Sequence, residues 1–129
     1  MGKKERNVVT PVYAGILGLL LAALGIRAIL INPGRDASEE KQLRFDKGMQ
    51  AFSNFTEYAP FAVLLIWLLE LRSGSGTLIH VFCLALIAGR LIHAFGVSQV
   101  NETPALRVAG MALSFTTIVT VSVRLLLGV

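Results

Sequence analysis

The largely apolar run between Gly48 and Leu69 carries a single charge, Glu57, together with Gln50, Asn54 and Tyr58. Their spacing of i, i+4, i+7 and i+8 is the one that places helical residues on a shared face. A second apolar run holds Arg90 and His93, i, i+3 neighbours on a helix, and a third, from Val8 to Ile31, contains the single charge Arg27. Arg107 opens the last apolar run. A charge at the centre of a membrane helix costs about 2.5–3.5 kcal/mol on insertion scales, so such groups face protein or water rather than lipid. Arginine forks suit bidentate contacts with carboxylates, and a lone carboxylate suits a cationic group. The residue types therefore describe a basic, hydrogen-bonding pocket in which Arg27, Arg44, Arg90 and Arg107 supply positive charge and Glu57 is expected to be the one buried carboxylate. The structural alternative is that Glu57 pairs with an arginine only to hold helices together while His93 bonds a carbonyl.

These residues have to be positioned by membrane helices. Crossing a hydrocarbon core takes roughly 20 apolar residues per helix, and the chain offers four such runs. The spacing of turn signals predicts helices over about 8–31, 39–72, 77–97 and 104–127. Asn32-Pro33-Gly34 ends the first, and within it Ala14, Gly18 and Ala22 form a small-xxx-small stripe that lets another backbone come close. Ser38 is a suitable cap for the second, with Glu39 and Glu40 against its positive end. That helix starts in water, since six charged residues lie between Glu39 and Lys47, and Pro60 is expected to kink it. Arg72 to Gly76 reads as a short flexible turn, Thr77 as the cap of the third helix, and Thr103-Pro104 as the start of the fourth. Two of the three connections are short, so an up-down four-helix bundle is the economical arrangement, a single all-α transmembrane domain. Its ends near residues 27–50 and 90–107 then meet at one membrane face. His80 falls near the opposite end, where an interfacial role is expected.

Composition agrees. The chain has 129 residues, 54% hydrophobic and only 16% charged, against about 25% charged in soluble domains. Twelve Lys and Arg against eight Asp and Glu give a net charge of +4, spread along the chain at the ends of apolar runs rather than gathered as a nucleic-acid footprint. Lys3, Lys4 and Arg6 precede the first run in the manner of a signal peptide, but the run is longer than the usual apolar segment of one and is read as a retained helix. Lysine and arginine counts in the loops give only a narrow majority for placing the first and third loops in the cytoplasm. Cys83 is the only cysteine, so no intrachain disulfide forms, and its apolar surroundings mark a buried small hydrophobe. His80 and His93 are too far apart for ligand spacing, and no metal site is expected. Neither a Gly-rich phosphate loop nor a G-x-S-x-G elbow occurs.

The stretch Asn54-Phe55-Thr56-Glu57-Tyr58-Ala59-Pro60, followed by Ala88-Gly89-Arg90-Leu91-Ile92-His93-Ala94, resembles the MAPEG family, the membrane-associated proteins of eicosanoid and glutathione metabolism. The N-x-x-E-x-x-P string is the most specific part of the likeness, and G-R-x-x-H supports it. The resemblance implies a homotrimer with the second helix lining its threefold core and glutathione bound between subunits near the cytosolic face of an inner membrane. It implies that Asn54 and Glu57 hold the polar backbone of glutathione, with Tyr58 close by. Arg27, Gln50, Arg90 and His93 fall at pocket positions, and Arg107 matches the arginine that stabilises the thiolate. Gln50 stands where many relatives carry arginine, and Val97 where several carry tyrosine. Glutathione bears two carboxylates and one ammonium, which fits a pocket of several cations and one anion. A thiol of pKa about 8.5 is only a few per cent thiolate at neutral pH, and a guanidinium beside the sulfur raises that fraction. The expected activity is a glutathione-dependent transferase or peroxidase whose lipophilic second substrate enters from the bilayer. Two other readings compete: a non-catalytic bundle of the same fold, and a small proton-coupled multidrug exporter using Glu57.

Overall fold

The computed structural model describes residues 8–35, 38–74, 76–99 and 104–129. Among them are four α-helices: α1 (Thr10–Leu30), α2 (Glu39–Ser73), α3 (Thr77–Ser98) and α4 (Pro104–Leu127). All four are long and apolar enough to cross a membrane. Lys3, Lys4, Arg6, Ser75 and Thr103, which carried parts of the sequence reading, lie outside the described residues.

The up-down order follows from which ends touch. Glu70, late in α2, reaches the start of α1, whereas Arg72 reaches the end of α4. Gly89 of α3 lies against Gly110 of α4, and Gly96 against Leu106, so these two helices run antiparallel. Arg27 of α1 meets Ser98 at the end of α3. The core of Leu17, Phe55, Ala59, Ala62, Ile66, Leu69, Phe82, Leu86 and Val121 fills the interior between them.

Ser38 caps α2 as its sequence implies, accepting from the Lys41 amide at 3.3 Å. Thr77 does not cap α3: the cap position is Gly76, with no side-chain bond, and Thr77 is the first helical residue. At the end of α1 the chain turns through Gly34, at φ +76°, where its amide donates to Asn32 Oδ1. A left-handed residue there favours glycine. The helix α2 is continuous through Pro60.

Glu70 was not singled out in the sequence, and among the described residues it is the buried carboxylate, with 1% of its surface exposed. Its two oxygens accept from the amides of Val9 (2.8 Å) and Thr10 (3.0 Å) at the start of α1. The next residue, Pro11, has no amide proton, and the Val12 amide donates to the Val9 carbonyl. The donors left over at this helix end are thus met by a carboxylate sixty residues away, at the end where negative charge is favoured. Two residues on, Arg72 donates to the carbonyls of Arg124 (2.7 Å) and Leu125 (2.8 Å), matching a cation to the negative end of α4. One end of α2 therefore closes the termini of two other helices.

Hydrogen bonds to charged groups contribute about 1.5–3 kcal/mol each. Glu70→Ala should lower the thermal midpoint of the purified protein in detergent markedly, and Glu70→Gln, which keeps one carbonyl acceptor, by a smaller amount. Equal midpoints for wild type and Glu70→Ala would contradict the capping role.

Candidate functional site

The polar groups of α3 descend from the bundle interior toward the membrane edge in order: Arg90, then His93, then Ser98. Arg90 is 2% exposed. Its Nε donates to Ser114 Oγ at 2.9 Å, one Nη donates to Asn54 Oδ1, and the other lies 3.4 Å from Met111 Sδ. The guanidinium also lies 5.8 Å from the Tyr58 ring centroid, and that ring meets Phe115 edge-on at 5.2 Å. One side chain of α3 is thereby joined to α2 through Asn54 and Tyr58 and to α4 through Ser114 and Met111. Each of these partners is uncharged.

The face predicted for α2 divides in two. Asn54 and Tyr58 are half-buried and turn toward Arg90, whereas Gln50 and Glu57 are exposed on the outward side. Glu57 is thus not the buried carboxylate the sequence led us to expect, and among the described residues no arginine forms an ion pair with it. The reason is geometric: at 3.6 residues per turn the four positions span an arc of about 100°, and only its edge faces the chain's own bundle.

His93 is 3% exposed and sits where α3 and α4 come closest. A Cβ built on Gly110 would fall 2.6 Å from the His93 amide nitrogen and 2.7 Å from the Gly89 carbonyl. Gly89, His93 and Gly96 fall at i, i+4 and i+7 on the face of α3 that meets α4. Sequence reasoning missed this stripe, although the glycine spacing was visible; it chose Ala14, Gly18 and Ala22 instead. No neighbouring atom lies within 4 Å of a Cβ built on Gly18.

Arg27 donates to Ser98 Oγ at 2.6 Å, and that hydroxyl donates in turn to the Ala94 carbonyl. Arg107 is exposed on the first turn of α4, with its backbone beside Gly96. Seven residues, about 10 Å of helix, separate it from Ser114 and the Arg90 cluster. Arg44 is farther still, ten residues or about 15 Å along α2 from Asn54. A single copy therefore gathers Asn54, Tyr58, Arg90 and His93, sets Arg27 one turn beyond, and leaves Gln50, Glu57 and Arg107 facing outward.

The close contact at Gly110 carries a testable consequence. Gly110→Ala places a methyl group against backbone, which cannot give way without parting α3 from α4. Gly15→Ala meets open space and gains helix propensity of up to about 1 kcal/mol. Thermal unfolding should show a large loss for the first and none for the second; a harmless Gly110→Ala would contradict the packing described.

Comparison with known proteins adds one finding to this geometry. Neither the curated proteins nor the solved structures give a match. The model of the MAPEG family matches residues 8–127, almost the whole chain. The four apolar helices and that match make this an integral membrane protein, and the chain belongs to the MAPEG family.

Proposed function

We propose that this protein is a membrane-bound glutathione-dependent transferase or peroxidase that works as a homotrimer. Family membership supports the glutathione-related class of chemistry and takes the place of the exporter reading. The observation that carries the proposal is the buried Arg90, a cation held, among the described residues, by uncharged partners beside a helix whose next turn presents Glu57 outward. Such a cluster retains attraction for an anionic ligand, and Glu57 is placed to meet that ligand's ammonium.

The outward face of α2 supports self-association. Gln50, Glu57, Leu64 and Leu71 recur every seven residues, with Phe61 and Leu68 between them from Glu57 onward. Alternating steps of four and three are the pattern of a helix-packing seam. Phe61, Leu64 and Leu68 are 57%, 47% and 44% exposed in one copy. Lipid could cover the leucines, but Gln50 and Glu57 on the same stripe would lose hydrogen bonding there. Packing against copies of α2 covers both parts, and a neighbouring copy brings its own Arg27 or Arg107 toward a site that one chain leaves open.

In this reading Arg90 holds Asn54 and Tyr58 in place, and Asn54, Glu57, Arg27, Gln50 and His93 take up the polar groups of glutathione. Arg107 lies beside the sulfur and favours its thiolate. The thiolate sulfur then forms a bond to the electrophilic carbon of a lipophilic substrate as the leaving group departs with its electron pair. In peroxidase turnover two thiols reduce a hydroperoxide to alcohol and water and are themselves oxidised to a disulfide. Fixing both reactants at one membrane face supplies proximity. We place the site on the cytosolic side of the inner membrane.

A thiol conjugation assay with a chromogenic aryl halide tests the activity and separates it from a non-catalytic bundle. Arg107→Ala should depress turnover about 10- to 150-fold, the equivalent of one charge-assisted hydrogen bond, while weakening glutathione binding far less. The bound thiol should also titrate at higher pH in the variant, and Arg107→Lys should recover part of the loss. An unchanged thiol pKa would remove Arg107 from the chemistry.

A further inference from the structure

At the membrane edge, two cavities lie along α1 and α2 and adjoin at Asn32. The outer one, about 350 Å³, is lined by Leu30, Ile31, Asn32, Pro33, Lys41 and Arg44. The inner one, about 330 Å³, runs between Gly25, Ala28 and Ile29 of α1 and Phe45, Met49 and Phe52 of α2. The first is cationic at its mouth, and the second is almost wholly apolar.

Both properties follow from the helix register. Lys41, Arg44, Phe45 and Gly48 stand at i, i+3, i+4 and i+7 on the side of α2 that faces α1, where Gly48 packs against Ile31. Glu39 and Asp46, seven residues apart, fall on the opposite side, and Asp46 accepts from Gln42 instead. Among the described residues neither the Lys41 ammonium nor the Arg44 guanidinium has a hydrogen-bond or ion-pair partner. Two unpaired cations at a membrane edge, directly above an apolar groove, have the shape of an anionic amphiphile in reverse: negative head outward, hydrocarbon inward. Basic residues at such a surface attract anionic lipid; Arg44 at the mouth stands ten residues along α2 from Asn54, while the inner groove ends at Phe52, two residues short of it.

We infer that the α1–α2 cleft is a binding site for an anionic phospholipid, its phosphate between Lys41 and Arg44 and one acyl chain along the groove floored by Gly25 and Phe52. The site does not depend on the thiol reading, and its occupancy holds the outer turn of α2 against the α1 end.

The test is native mass spectrometry of the full chain in detergent, titrated with dioleoyl phosphatidylglycerol, dioleoyl phosphatidylcholine or inorganic phosphate. Phosphatidylglycerol should be retained at least tenfold more tightly than phosphatidylcholine, and phosphate alone should not be retained. Each cation removed should cost about fivefold, so Lys41→Gln with Arg44→Gln should abolish the preference, a loss of about twenty-fivefold. Both residues are exposed, so far-ultraviolet dichroism of the double variant should match wild type. Met49→Trp, which fills the groove and keeps both cations, should weaken phosphatidylglycerol as well. Equal affinity for the two lipids, as expected if a second copy fills the groove, overturns the inference. A preference that survives the double substitution, an unaffected Met49→Trp or capture of phosphate alone overturns it equally.

Discussion

A guanidinium inside an apolar bundle must find its acceptors within the protein, and Arg90 finds them on two other helices. Asn54, Ser114 and Met111 receive its donors, and the Tyr58 ring lies beside it. This one requirement fixes much else. The α2 register that brings Asn54 and Tyr58 inward turns Gln50 and Glu57 outward. The α4 register that brings Ser114 to Arg90 sets Gly110 against His93 and places Arg107 on the exposed first turn. Breaking a buried polar node of this kind leaves several groups unsatisfied at once, each costing about 1–3 kcal/mol.

The two ends of the bundle solve different problems. At one end α2 terminates other helices: the Glu70 carboxylate closes the start of α1 and Arg72 the end of α4. Tyr13 and His80 add a 2.7 Å hydrogen bond between α1 and α3 at this end. These contacts are made within the chain, although Thr10 Oγ1 and Arg124 Nε at the same end are buried without a hydrogen-bond partner among the described residues. At the other end Lys41 and Arg44 lie exposed beside the cavity at the α1–α2 turn.

The helices were legible because the apolar runs, Ser38, Pro104 and Asn32-Pro33-Gly34 each act locally. Family likeness was legible because N-x-x-E-x-x-P and G-R-x-x-H are compact strings. Direction was harder to read. Gln50, Asn54, Glu57 and Tyr58 share an arc, but spacing alone does not say which edge of that arc meets the chain's own helices, and the buried role given to Glu57 belongs to Glu70. Glu70 was hidden by its position at the end of an apolar run, where a carboxylate ordinarily reaches water; its partners are backbone amides sixty residues away, which leave no mark in composition. The glycine stripe on α3 was passed over because small residues signal close approach without naming the partner helix.

The central claim is that the outward face of α2, polar at Gln50 and Glu57 and apolar at Leu64, is covered by copies of itself. The direct measurement is disulfide cross-linking in native membranes, with Cys83→Ala as background and single cysteines at Leu64 or, as a control, at Leu126, which is 87% exposed on α4. Cysteine at Leu64 should form covalent dimers rapidly under mild oxidation, and cysteine at Leu126 should remain monomeric. Equal slow cross-linking at both positions would mean that lipid covers this face, and the shared site would have no structural basis.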